Sequence, residues 1–151
     1  MPSAGLVPYR IVANRLEILI AHPGGPFWAS KQEGAWSIVK GEVPPDEEPL
    51  ETAMREFREE TGWTVSQTEL VFLGEVVQKA GKRITAWAFQ ADFDPADLNG
   101  DTVTIDWHGR ALTFPEIDEM RWCGEAEGTE LLNPAQVVYY ERLNAALGRN
   151  R

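Results

Sequence analysis

An α+β fold in a single domain is what this chain predicts, and three observations predict it. Strand-sized runs rich in Val, Ile and Leu flank one well-marked helical period at 49–61, and a second helical period closes the chain. The 151 residues are 43% hydrophobic and 10% aromatic, enough for one genuine core. No internal repeat, low-complexity run or long linker interrupts them, so residues 1–151 read as one unit.

Ser3–Val12 and residues 16–21 are apolar runs separated by Ala13-Asn14, which predicts a hairpin. Pro8 predicts an edge or a bulge in the first strand, because proline has no N–H for a ladder. Residues 22–34 (HPGGPFWASKQEG) carry two prolines and three glycines and read as a loop; loops of that length are commonly functional. Phe27 and Trp28 on it either stack on a base or fold back over the core. His22 reads as a strand-end residue, since nothing near it in sequence completes a catalytic dyad. A short apolar strand at 36–39 then delivers Lys40-Gly41 to the helix.

Residues 41–63 are the most acidic stretch. Eight carboxylates against Arg55 and Arg58 supply six of the ten net negative charges. Pro49 suits a first helical turn, Asp46, Glu47 and Glu48 lie where the helix dipole favours negative charge, and Gly62 is a stop. At about 100° per residue, Leu50, Ala53, Met54, Phe57 and Thr61 share one face. Glu56, Glu59 and Glu60 share nearly the opposite one. Such a cluster is ordinarily a solvated face. It is also the donor set that hard divalent cations require.

Spacing decides between the two readings. Gly41, Glu47, Arg55-Glu56-Phe57, Glu59-Glu60 and Gly62-Trp63 resemble the Nudix box, G-x5-E-x7-R-E-U-x-E-E-x-G-U with U bulky and apolar. All nine specified positions match, and chance would give this on the order of once in a million such chains. Gly41 would let the backbone turn sharply beside a metal, Glu47 and Arg55 would pair, and Gly62 would give a left-handed exit. The resemblance implies a mixed central sheet sandwiched between helices, magnesium or manganese as cofactor, and water attack on a phosphoanhydride. It implies Glu59 and Glu60 as principal metal ligands, Glu56 as a further ligand or the base, and the Lys40 carbonyl as a backbone ligand. WSIVKGE is similar to the W-x-x-P-K-G segment of dinucleoside polyphosphate hydrolases, departing at Val39, where proline is usual. The Lys40 ammonium is either a phosphate contact or an exposed strand-end lysine.

Residues 70–78 and 83–92 alternate as long strands about the Ala80-Gly81 turn, with Trp87 and Phe89 on one face and Ala86, Ala88 and Gln90 on the other. Lys79, Lys82 and Arg83 make that tip an anion spot or a solvated turn. Thr102–Trp107 and residues 110–114 flank His108-Gly109 as another hairpin. The segment 114–122 (FPEIDEMRW) is similar to the late part of many Nudix chains, where a glutamate adds a ligand or base. Glu119 is the first choice and Glu116 the second, with Asp118 also open. Asn133 caps a last helix with Pro134 as its first residue, running to Leu147, and Tyr139 or Tyr140 could border a base pocket.

A net charge of −10 and pI near 4.6 argue against a duplex-binding surface. The single Cys123 excludes an internal disulfide and reads as a buried apolar residue. Without a leader or an eighteen-residue apolar run, a cytoplasmic protein that does not engage membranes is expected. The function these features predict is metal-dependent pyrophosphohydrolysis of a small nucleotide, dinucleoside polyphosphates leading. Glu56, Glu59, Arg55 and Glu119 would serve the reaction, and Lys40, Trp28 and Phe27 would bind substrate. The alternatives are a silent nucleotide-binding sensor module and, within the same chemistry, an RNA-decapping or damaged-nucleotide hydrolase.

Overall fold

The structure, a computed structural model, describes residues 1–66 and 69–149. Its elements follow in the order β1 Ser3–Val12, β2 Arg15–Pro23, β3 Val39–Glu42, α1 Pro49–Thr61, β4 Val71–Val77, β5 Arg83–Gln90, β6 Thr102–Trp107, β7 Arg110–Pro115, β8 Ile117–Cys123, α2 Glu125–Leu131 and α3 Val138–Ala146. Six strands form one sheet in the order β4-β5-β1-β2-β8, with β3 beside β1, while β6 and β7 pair only with each other. Strands β1 and β5 run parallel and the other strand pairs antiparallel, so the sheet is mixed.

The β1–β2 turn is made by Ala13 and Asn14, both at positive φ, as a two-residue hairpin with right-handed strand twist requires. Pro8 corrects one expectation. Strand β1 is central rather than an edge. One side of it pairs with β3 as far as Leu6 and with β2 from Tyr9 onward. Pro8 falls in the gap between these ladders, where the absent N–H interrupts nothing on that side.

Alternation along the central strands builds two cores. Ala4, Leu6, Leu19, Ala21 and Phe89 join Ala53 and Phe57 under α1, whereas Val7, Ile18, Ile20 and Ile84 join Tyr139, Tyr140 and Leu143 under α3. Helices therefore cover both faces, the layering that the resemblance implied. Phe57 is completely buried and packs against Phe89, Phe93 and Trp63. That burial contributes about 1.5–3 kcal/mol and fixes the rotation of α1 about its axis.

The last helix starts later than its sequence suggests. The Asn133 side chain accepts from Ala135 N–H as expected, but Pro134–Gln136 is a separate 3₁₀ turn before α3. Both Tyr139 and Tyr140 are fully buried in the core, and neither lines the cleft beside Lys40 and Glu60. Helix α2 has no clear sequence signal, because Gly128 lies in its middle. A Cβ there would overlap the Tyr140 hydroxyl, so close packing overrides helix propensity. Cys123 is buried as expected, and burial pushes its thiol up to about 12, with Glu127 adding to the effect. Among the described residues no helix is long and apolar enough to cross a membrane.

Candidate active site

Helix α1 forms where the spacing predicts it. It ends at Gly62, whose left-handed φ of 84° lets its N–H reach Arg58 O at 2.8 Å. The buried face carries Thr52, Ala53, Phe57 and Thr61, with Leu50 and Met54 only half-buried. The remaining face turns toward β3, so its glutamates meet a strand on one flank instead of open solvent.

Gly41 sits on that strand at an ordinary β conformation, which corrects the sharp turn expected there. Its role is close approach. An added Cβ would lie inside Glu56 Cγ and Cδ and 2.6 Å from Glu56 Oε1. Only a glycine leaves the Glu56 carboxylate its position.

Arg55 organises the other side of the cluster. It donates from Nε and Nη2 to the two oxygens of Glu47 (3.1 and 2.9 Å), and from Nη1 to Glu56 Oε1 and Glu59 Oε2 (both 3.1 Å). Thr52 Oγ1 also donates to Glu47. The Arg55 and Thr52 hydrogen bonds hold the Glu47 carboxyl at about 2. A carboxyl whose folded pKa is depressed adds stability above its unfolded value of 4.5 and loses that contribution as pH falls toward about 2. Glu47→Gln should therefore unfold at a lower temperature than wild type at pH 7, with the gap closing between pH 4.5 and 2. An equal gap at both ends of that range would show that the pair does not anchor the loop.

Glu60 has the opposite environment. Burial, then the adjacent Glu56 carboxylate and Glu116, push its carboxyl up to about 9, with Lys40 opposing. Its Oε2 is enclosed and has no hydrogen-bond partner. Glu116 is raised too, by burial and by Glu56, Asp101 and Glu59. Lys40 is lowered, by burial first and then by Lys82, while Glu60 and Glu42 oppose the shift. The four glutamates 56, 59, 60 and 116 thus crowd carboxyl groups into partly dehydrated space beside one lysine.

An unpartnered buried carboxylate oxygen and the raised carboxyls of Glu60 and Glu116 are the signature of a donor set that a hard cation would satisfy. The residues offer the oxygen donors that a hard divalent cation takes. Among the described residues no group of three such ligands is already gathered as a metal site, and Arg55 holds oxygens of Glu56 and Glu59.

A cleft of about 280 Å³ opens beside this cluster, lined by Lys40, Glu60 and Glu116 at one end and by Trp28, Gln78, Asn133 and Gln136 elsewhere. Gln136 is buried and binds Ile38 N–H through Oε1 (2.9 Å), while its Nε2 donates to Ser37 Oγ and Gln78 Oε1 (both 3.0 Å). Nothing in sequence marked these amides, since single Gln and Asn residues have no periodic or motif signal. A larger cavity, about 460 Å³ between the β1–β2 turn, α2 and α3, holds none of the cluster.

Of the residues predicted for the site, Lys40, Arg55, Glu56, Glu59, Glu60 and Trp28 are brought together, and two are not. Phe27 is mostly exposed, with the Lys31 ammonium 3.4 Å above its ring, and does not line the cleft. Glu119 pairs with Arg121 at 3.0 Å. It stands opposite His22 in the β2–β8 ladder, on the Ile20 face away from α1. Glu116, the second choice, is the glutamate that reaches the cluster. His22 is a strand-end residue as expected, buried, with Nδ1 2.8 Å from Asp118 and Nε2 2.7 Å from the Lys31 carbonyl. The basic turn is partly neutralised, Arg83 by Glu75 and Lys82 by Glu42. His108 occupies the β6–β7 turn at φ 55°.

Comparison with known proteins bears on the family and the fold. A family model described as NUDIX domain matches residues 10–143. Mouse bis(5'-nucleosyl)-tetraphosphatase (asymmetrical) is 40% identical over 101 residues, 64% of this chain and 60% of that protein. A Mycobacterium tuberculosis protein provisionally named 8-oxo-dGTP diphosphatase 3 is 29% identical over 132 residues, 85% of this chain and 54% of its own length. The chain thus spans little more than half the length of these relatives. In the solved binary complex of C. elegans Ap4A hydrolase, 97% of this chain aligns with 98% of that one at TM-score 0.65 and 21% identity. MutT protein from Methanosarcina mazei Go1 gives TM-score 0.60 and 20% identity over 99% and 96%. At those identities the likeness shows a common fold.

Proposed function

The chain belongs to the NUDIX domain family, and from that premise we propose that it is a cytoplasmic, magnesium- or manganese-dependent hydrolase acting as one domain over residues 1–151. It cleaves a phosphoanhydride in a nucleoside diphosphate linked to another group, with dinucleoside polyphosphates as the leading substrates. One observation carries the reading: Glu56, Glu59, Glu60 and Glu116 converge, with an enclosed oxygen lacking any partner, beside Lys40 at the mouth of a cleft. The mouse relative's name and the bound worm enzyme's support the substrate class.

The four glutamates, with the Lys40 carbonyl, would hold the cation. When bound, a divalent ion supplies neutralisation of the phosphates and acidification of a water. The chain's own groups do the rest. Lys40 Nζ meets phosphate charge and offsets the acidity of the cleft, and Trp28 offers a ring for a base. Arg55 keeps Glu56 and Glu59 in position from behind. A carboxylate of the cluster accepts the proton released by the attacking water.

Phosphate release should be measured with and without magnesium across dinucleoside polyphosphates, nucleoside diphosphate sugars, nucleoside triphosphates and diphosphoinositols, for wild type and Glu59→Gln. Metal-dependent turnover on a dinucleoside polyphosphate that collapses in the variant is expected. Silence across the panel with nucleotide still bound would assign a binding module instead.

A further inference from the structure

Glu59 lies on α1 and Glu116 just before β8, and the connection between them runs through backbone. Residues 99–101 cross the C-terminal end of α1, where Asn99 N–H donates to Thr61 O (3.0 Å) and Asp101 N–H to Glu59 O (2.7 Å). Carbonyls of a last helical turn lack intrahelical partners, so this segment caps α1 from outside. The Asp101 carbonyl in turn accepts from Glu116 N–H (3.1 Å), and the Glu116 carbonyl from Gly24 N–H (2.9 Å). One run of backbone hydrogen bonds therefore joins α1, the segment entering β6, the segment entering β8 and the loop that carries Trp28.

The crossing is too close for side chains. A Cβ at Gly100 would overlap the Glu60 carbonyl, and one at Gly62 would overlap the Asn99 carbonyl. Both obstacles are backbone, which cannot swing aside as a side chain can. The strap and the end of α1 are locked to each other.

We propose that the 99–101 strap is the positioning element of the carboxylate cluster. The Asp101 N–H, by holding the Glu59 carbonyl, sets the spacing between the α1 glutamates and Glu116 and hence the affinity for a divalent cation. This rests on the metal-dependent reading above. Asp101 makes the contact through its backbone, so the contact can be separated from its side chain. Asp101→Ala removes the carboxylate and keeps the N–H; Asp101→Pro removes both.

Manganese binding, followed by electron paramagnetic resonance of the free ion, reads the effect without turnover. Asp101→Pro should bind manganese at least about tenfold more weakly than Asp101→Ala, as when a residue orienting metal ligands is lost. Should the proline variant fail to fold by circular dichroism, Gly100→Ala against wild type takes its place, with the same loss expected. Equal manganese affinities of Asp101→Pro and Asp101→Ala, both folded, overturn the strap's role and leave the metal reading intact. A wild-type protein that binds no manganese overturns both.

Discussion

Glu60→Gln should move two readouts in opposite directions, raising the melting temperature of the metal-free protein while lowering magnesium-dependent turnover by about 10²–10³-fold. Burial and the neighbouring Glu56 and Glu116 push the Glu60 carboxyl up to about 9, and its enclosed Oε2 has no partner. A folded pKa raised above 4.5 means a contribution to stability that is complete below 4.5 and is lost as pH rises toward about 9. At pH 7.5 the metal-free fold therefore carries most of that penalty. Glutamine keeps the shape and removes it. Each kcal/mol recovered raises the midpoint by about 2–4 °C in a chain of this size. Magnesium should stabilise wild type, because a ligand that binds only the folded state shifts its unfolding by mass action. It should do little for the variant. Melting curves with and without millimolar magnesium at pH 7.5 check both halves. A variant that melts below wild type without metal, or keeps the full response to magnesium, would remove Glu60 from the ligand set.

How far the sequence carried this site depends on how local each signal is. The box lies within 23 residues, and its charges, apolar face, Pro49 and Gly62 are set by helix geometry alone, so α1 and the Glu47–Arg55 pair could be read directly. The glutamate from the distant strand could not. Strand alternation would place Ile117 and Met120 on opposite faces, yet both lie in the α1 core. The reason is the register shift between His22 and Pro23, which breaks the parity on which a choice between Glu116 and Glu119 depends. Gly41 was identified for the wrong physical reason. Glycine in a motif signals either an unusual backbone angle or a close neighbour, and only coordinates show that the neighbour is Glu56. The strap was invisible for the same cause: nothing local to Asn99-Gly100-Asp101 tells that Glu60 lies against it.

Gly41→Ala should leave the protein folded and nearly abolish its chemistry, a separation few substitutions at a half-buried strand glycine would give. Position 41 has an ordinary strand conformation, so alanine meets no backbone strain there. Loss of glycine's freedom in the unfolded chain even favours the variant by about 0.4–1 kcal/mol. What the new methyl meets is the far end of Glu56, which can rotate away at little cost in stability. It then leaves the cluster, taking its carboxylate from the cation and its oxygen from Arg55 Nη1. Turnover should fall by about 10²-fold or more, as misplacement of a reacting group by an ångström does. Gly5→Ala is the matching control. Its Cβ would lie 2.5 Å from the Val39 carbonyl, backbone of β3 that can move only by breaking the β1–β3 ladder. That variant should lose stability by about 1–3 kcal/mol, and the molecules still folded should retain more activity than Gly41→Ala. Unfolding midpoints together with turnover per folded molecule test the pair. A Gly41→Ala protein that is both stable and fully active would show that Glu56 is not needed where the structure holds it.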